Sequence, residues 1–318
     1  MKITNRLGLP ESLVEAVKND PYDAGLSDIT VTQLISPPQM RIMKITHGEV
    51  LSEDVADRIW ALLGQAVHVV LERADESNTD TLSEIRFSYK IDDLMVSGQA
   101  DRFVLSTGTL QDYKVTSVWS YIFADKPEWE QQLNLLAMLA RANGYEVNKL
   151  EIVAIYRDWS QTNYERNPSE YPPAPAMVID IPMWNEHELA EFMSHRLALH
   201  KQAMDGNPPL CSDEERWYSG DKWALMRGTN KTATKLHDSF SSCHNDYTGR
   251  GGSETGYWIQ HRPGVYKRCQ SYCAVAPVCQ QWRLDVEKDL DGLAKRLTED
   301  RIRELKRQSE LEGEERIS

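Results

Sequence analysis

"SGQADRFVLSTGTLQDYKVTS", residues 97–117, alternates apolar and polar positions as two antiparallel strands do, and "STGT" supplies a turn in which Gly108 can take positive φ. The first strand carries Asp101 and the second carries Asp112 and Lys114. Alternation places Asp112 and Lys114 on one face with Tyr113 opposite. The turn brings Asp101 near that pair, so three charged groups are expected to converge on one sheet surface. Clustered carboxylates call for a neutralising cation, and oxygen donors suit Mg²⁺ or Mn²⁺. Beside such an ion a lysine can orient an attacking water or stabilise charge on a phosphorane, while the metal lowers the pKa of the water. The plainer alternative is a surface ion pair between Asp112 and Lys114, with Asp101 a turn residue.

Around this hairpin the chain reads as an α/β fold with a mixed sheet flanked by helices. Residues 81–91 make a third strand. A helix over roughly 53–73, N-capped by Ser52, shows an apolar stripe at Val55, Ile59, Leu62, Ala66 and Val70. His68 sits opposite that stripe, stacked with Gly64 and Glu72. It is open to water or turned towards a polar cavity, where a neutral imidazole can ligate a metal. Gly64 would let another backbone approach. A helix over 128–143 stops at Gly144 and places Gln132 beside its apolar face, next to Leu136, where an amide can bind a phosphate or a base edge. Strands at 149–159 and 176–183 and a helix at 186–204 follow. Residues 1–50 read as a short helix near "ESLVEAVKND", then loop and strand.

The 318 residues, 41% hydrophobic and 27% charged, suit a globular protein, and no apolar run approaches membrane-spanning length. The first residues lack a secretory signal, so the expected location is the cytoplasm, with no membrane partner. A net charge of −13 opposes nucleic-acid binding, yet residues 218–283 hold nine Lys/Arg against four Asp/Glu, leaving −18 for the rest. Trp223, Phe240, Tyr247, Tyr257, Trp258, Tyr266, Tyr272 and Trp282 lie in the same segment. That composition is compatible with single-strand binding, and equally with ordinary core aromatics.

All five cysteines and four of the 14 prolines fall after residue 205. Cys269, Cys273 and Cys279 are spaced C-x3-C-x5-C, too tight and too odd in number for a disulfide framework. Three thiolates need a fourth ligand to close a zinc site or a [4Fe–4S] cluster. Cys211 is the first choice and Cys243 its competitor. Spacing alone does not separate zinc from iron.

Taken in order, His68, G-x-x-D at Gly98–Asp101, D-Y-K at Asp112–Lys114 and Q-L-N from Gln132 resemble the PD-(D/E)XK nuclease superfamily, and more narrowly its RecB/Cas4-like, phage-type exonucleases. The resemblance covers roughly residues 1–283 and implies a restriction-endonuclease-like core. It implies His68, Asp101 and Asp112 as ligands of Mg²⁺ or Mn²⁺, with the Tyr113 backbone carbonyl and Glu84 joining them, Lys114 assisting hydrolysis and Gln132 holding substrate. Leu136 stands where the family usually has a tyrosine. Because several members carry a cluster, the resemblance also implies a [4Fe–4S] cluster on Cys211, Cys269, Cys273 and Cys279, tying the 211 loop to 269–279. The expected organisation is a lead-in at 1–50, a nuclease core at 51–205, a loop-rich iron–sulfur region at 206–283 and a charged helix at 284–318. The expected activity is a metal-dependent exodeoxyribonuclease in recombination, repair or end-processing. Its partners would be DNA ends, single-stranded ones included, and a recombination protein, in the host cytoplasm if the chain is phage-encoded. The rival is a non-catalytic nucleic-acid-binding or assembly module on the same fold.

Overall fold

The computed structural model describes residues 1–19, 25–123 and 126–288. The chain divides into two compact units, Met1–Pro209 and Leu210–Ser318.

The first unit opens with β1 (Lys2–Thr4), α1 (Glu11–Lys18), β2 (Ile29–Thr30), α2 (Val31–Ile35), α3 (Pro38–His47) and β3 (Ser52–Asp54). Residues 31–35 and 38–47 are therefore helical where loop and strand were expected. The Thr30 hydroxyl and Gln33 form a capping box that starts α2, and Pro38 suits the first turn of α3. Then come α4 (Val55–Asp75), β4 (Thr81–Ile91), β5 (Leu94–Val104), β6 (Thr109–Thr116), α5 (Trp119–Ile122) and α6 (Pro127–Ala142). The unit closes with β7 (Lys149–Tyr156), α7 (Gln161–Arg166), β8 (Ala176–Ile181) and α8 (Glu186–Met204). The N-cap of α4 is Asp54, whose carboxylate accepts from the Ala56 amide at 3.2 Å; Ser52 pairs with β1 instead.

The sheet runs β2-β5-β6-β7-β8, with β4 on the other edge of β5. It is mixed: β6 and β7 are parallel, joined across α6, whereas β4–β5, β5–β6 and β7–β8 are antiparallel. Helix α6 buries Leu133, Leu135, Leu136 and Leu139 against Phe87, Phe103, Leu110 and Ile152 of the strands. The α8 side chains Arg196 and His200 are buried, and both reach the Leu34 carbonyl, Arg196 Nε donating at 2.9 Å and His200 Nε2 lying at 3.0 Å. They occupy a carbonyl that the last turn of α2 cannot satisfy itself.

The register around β5 sets up everything that follows. Positions of β5 against the apolar core run Val96, Gly98, Ala100 and then Phe103, with Ser97 buried on the other face; on β4, Phe87 and Ile85 pack on the core and then Leu82. Alternation slips by one on both strands between these positions. Glu84 lies at the slip with φ 50°, and the β4–β5 ladder passes from Ser83↔Arg102 to Ile85↔Ala100 without it. The β5–β6 ladder ends at Arg102↔Gln111, so the strands part just where Asp101 and Asp112 come next. Gly98 is required by packing: a Cβ there would stand 2.4 Å from Leu136 Cδ2 and 2.9 Å from Val31 Cγ2. Gly108, in the turn, has φ 64°, and a Cβ would meet the Glu146 carbonyl at 2.5 Å.

The second unit holds β9 (Lys222–Arg227), β10 (Lys235–His237), α9 (Phe240–Gly249), β11 (Tyr257–Arg262) and α10 (Lys267–Ser271). Its sheet is antiparallel, β10-β9-β11, around buried Ala224, Leu225, Met226 and Cys243. This sheet replaces much of the loop expected over 206–283. Of the segment read as a terminal helix at 284–318, residues 284–288 are helical and 289–318 lie outside the described residues. Among the described residues, no helix is long and apolar enough to cross a membrane.

Candidate metal centre

The hairpin delivers Asp101 and Asp112 from strands that have just parted, and the sequence slip turns them to different partners. Asp101 meets His68 of α4, whereas Asp112 meets Gln132 of α6. Asp101 lies near Asp112 and Lys114, as the hairpin reading expected, while each carboxylate also takes a partner from a different helix.

On the α4 side, His68, Glu84 and Asp101 each offer a donor atom, and these atoms lie within 4.8 Å of one another. His68 Nδ1 is 3.3 Å from Glu84 Oε1 and 3.5 Å from Asp101 Oδ1. The remaining polar atom of each residue is held by the protein. His68 Nε2 lies 3.2 Å from the Tyr113 carbonyl, Glu84 Oε2 accepts from Gln99 Nε2 at 2.7 Å, and Asp101 Oδ2 accepts from the Tyr113 amide at 2.6 Å. Gln99 is itself fixed by Arg86 Nη2 at 2.7 Å. Such outer contacts orient ligands, and a ring donating from Nε2 leaves Nδ1 as the ligating atom. The Tyr113 carbonyl, expected as a ligand, is the group facing His68 Nε2. Glu84 reaches its position only through its left-handed backbone, a conformation that costs about 1–3 kcal/mol and tends to persist where function holds it.

The charges reflect this crowding. Burial, then the neighbouring Asp112 carboxylate, pushes Asp101 up to about 7. Burial opposes protonation of His68, but its hydrogen bond to Glu84 and the surrounding carboxylates outweigh that, so its pKa is raised. Burial likewise works against Glu84, and the contacts from His68 and Gln99 prevail and lower it. A buried acid that holds its proton beside other carboxylates is a group that a cation would relieve of it.

On the α6 side, Asp112 is 2% exposed. Its Oδ1 accepts from Gln132 Nε2 at 2.8 Å, and Lys114 Nζ lies 2.5 Å from Oδ2 and 3.2 Å from Gln132 Oε1. Asp112 Oδ2 is buried without a hydrogen bond, the ammonium being its charge partner. A buried carboxylate oxygen in that condition, beside three convergent donors, fits a hard divalent ion.

Several expectations about this region change. Ala66 and Val70 are exposed, and the second half of α4 turns Gly64, His68 and Asp75 towards the sheet, because His68 meets Tyr113 and Asp75 pairs with Arg102 at 2.5 Å. Gly64 admits no close backbone; a Cβ there has nothing within 4 Å. Leu136 is a core residue, 1% exposed. Gln99 went unread, although its place two residues before Asp101 was a usable signal.

The cysteine expectation is corrected. Among the described residues, the only group of three or more His, Cys, Asp or Glu side chains brought together as metal donors is His68, Glu84 and Asp101; Cys211, Cys269, Cys273 and Cys279 form none, and neither does Cys243. The [4Fe–4S] cluster and its zinc alternative are withdrawn, and with them the narrower likeness to cluster-bearing nucleases. Protein contacts join these loops instead. Gln281 accepts from the Cys211 amide at 3.0 Å and donates to its carbonyl at 2.9 Å, and Arg216 pairs with Asp285 while stacking 3.4 Å over the Tyr266 ring. Burial, then Glu215 and the other three thiols, pushes the Cys211 thiol up to about 12, the opposite of an activated thiolate. The aromatics of this unit are largely engaged too: Trp223 packs on Phe240 and His261, and Arg227 and Arg250 lie over Tyr257.

No family model matches the chain, and no curated protein does. Solved structures show a remote likeness of fold. The protein SSO0001 is 15% identical over 65% of this chain and 90% of its own, with a TM-score of 0.43. The alkaline exonuclease LHK-Exo of Laribacter hongkongensis is 15% identical over 44% and 69%, with a TM-score of 0.29. A phage-related exonuclease from Haemophilus somnus 129PT is 12% identical over 62% and 80%, with a TM-score of 0.27.

Proposed function

We propose that this chain is a divalent-metal-dependent nuclease that hydrolyses DNA phosphodiesters, acting as an exonuclease at DNA ends in recombination, repair or end-processing. One observation carries the reading. His68, Glu84 and Asp101 bring one donor atom each within 4.8 Å of one another, beside buried Asp112 and its half-buried partners Lys114 and Gln132.

His68, Glu84 and Asp101 would hold Mg²⁺ or Mn²⁺, with Asp112 the third carboxylate nearby. When bound, the ion supplies Lewis acidity and lowers the pKa of a water. Lys114, whose ammonium meets Asp112 and Gln132 among the described residues, would donate to that water or to a non-bridging phosphate oxygen. Gln132 spans Asp112 and Lys114, keeping the lysine extended towards the gap. Gln99, Arg86 and the Tyr113 peptide hold the ligating atoms in place before substrate arrives.

The test uses end-labelled linear DNA and a covalently closed circle, each with Mg²⁺, Mn²⁺ or chelator. Linear DNA should be degraded with either metal and the circle spared. Asp101→Asn and Lys114→Met should each lower the rate at least about a hundredfold while the protein stays folded. Mn²⁺ binding followed by electron paramagnetic resonance should weaken in Asp101→Asn and persist in Lys114→Met. A wild-type protein that binds DNA without cutting it would instead make the chain a binding module.

A further inference from the structure

The strand that delivers Asp112 and Lys114 leaves the sheet at Thr116, and the chain there is firmly pinned. Asp158 accepts from the Ser117 hydroxyl at 2.6 Å and from the Val118 amide at 2.8 Å. On the short helix that follows, Tyr121 and Ile122 pack into the core, Tyr121 edge-on to Tyr156. Those two anchors leave Trp119 and Phe123 outside, 56% and 68% exposed. Their rings are stacked, 5.5 Å apart and 19° from parallel. Two large rings held in register on a pinned turn, with their outer faces in water, are unusual for a surface that only has to be solvated.

Beside the same end of β6 the chain following β7 brings a cation, and with it a third aromatic from α4. The Arg157 amide donates to the Thr116 carbonyl at 2.9 Å, and its guanidinium lies 4.7 Å over the ring of Trp60, which is 58% exposed. Five residues separate Lys114 from Trp119, a span of at most about 17 Å of extended chain. A cationic and aromatic rim within that distance of a phosphodiester-cutting lysine matches the chemistry of a strand with its bases unpaired: backbone phosphate towards Arg157, base faces towards the rings.

We propose that the stacked Trp119–Phe123 pair is the seat of an unpaired nucleobase, so that the site takes single-stranded DNA and holds it by stacking beside the lysine-bearing strand. This rests on the nuclease reading above, and it adds a subsite to it. Every base offers a π-face, so the seat tolerates any sequence and rejects a paired base, whose faces are already stacked.

The experiment measures binding rather than cutting. The full chain carrying Lys114→Met is titrated onto three fluorescent probes: a short oligothymidylate, an abasic oligomer of equal length and a blunt duplex. Trp119→Ala with Phe123→Ala should weaken oligothymidylate binding about tenfold or more and leave the abasic oligomer and duplex within twofold. Trp119→Phe, which keeps a ring, should restore most of the affinity and serves as the folding control. Oligothymidylate affinity unchanged by the double substitution, or an equal loss for the abasic oligomer, overturns the seat. A wild-type chain that cuts nothing yet shows the ring-dependent affinity supports the seat and sinks only the nuclease reading.

Discussion

Replacing Gly98 by alanine tests how the fold sets the metal centre, because Gly98 lies three residues before Asp101 on the same strand. The added methyl would sit 2.4 Å from Leu136 Cδ2 and 2.9 Å from Val31 Cγ2. Carbon atoms rest about 3.5–4.0 Å apart, so Leu136 must withdraw by about 1 Å or β5 must lift from α6. Leu136 and Val31 are 1% and 2% exposed, with no open side to move into. Overpacking of this kind costs about 1–3 kcal/mol, and a β5 that lifts carries Asp101 out of line with His68 and Glu84. Leu136→Ala alone should cost about 2–5 kcal/mol through the cavity it leaves. Together the two changes should cost at least about 1 kcal/mol less than their sum, since the methyl of one fills space vacated by the other. Urea unfolding of the four proteins of this double-mutant cycle gives the coupling, and Mn²⁺ affinity should follow it. A Gly98→Ala protein within about 0.5 kcal/mol of wild type, or strict additivity, would refute the packing argument.

Metal-free protein should lose stability as pH rises from 5 to 8. The folded state keeps a proton on Asp101 up to about 7, whereas the unfolded chain releases it near 3.8. About two pH units at about 1.4 kcal/mol each make on the order of 3 kcal/mol, which Asp101→Asn should remove, leaving only the smaller loss from His68 as its raised proton is released; a flat wild-type profile in chelator would contradict the burial of that acid. Asn185→Ala removes the side chain that accepts from the His187 and Glu188 amides at the start of α8, and should cost about 1 kcal/mol in thermal unfolding without changing Mn²⁺ affinity. Gln281→Ala deletes both hydrogen bonds to Cys211 and should cost about 1–2 kcal/mol, read as faster amide exchange at residue 211.

Much of the first unit can be read from pattern alone. Residues 85–91 alternate cleanly, "STGT" marks its turn, and "EHELAEFMSHRLALHKQAM" is bounded as a helix, so these elements fall where pattern places them. The slip at Glu84 was not legible. Nothing in "SEIRF" marks a left-handed residue, and alternation alone, which brings Asp101 near Asp112 and Lys114, does not show His68 and Glu84 beside it. The face of α4 was misjudged for a related reason. Its valines suggest a buried stripe, but His68 and Asp75 have partners on the sheet, and those polar contacts decide which side turns inward. The cysteine spacing pointed to a bound group because tight spacing is all that sequence can display. It carries no sign of Gln281 and Arg216, whose contacts join the same loops without one.

The contact between α8 and α2 has a consequence for the order in which the protein can be made. Arg196 and His200 complete a helix end more than 160 residues earlier in the chain. A ribosome adding about 5–20 residues per second therefore leaves Leu34 waiting roughly 8–30 s for its partners. During that interval every acid of the metal centre has already been synthesised, while one wall of the sheet still lacks its last helix. Completion of the packing on this sheet is thereby timed by the emergence of α8, and a nascent chain cut short before residue 196 should stay open to proteases.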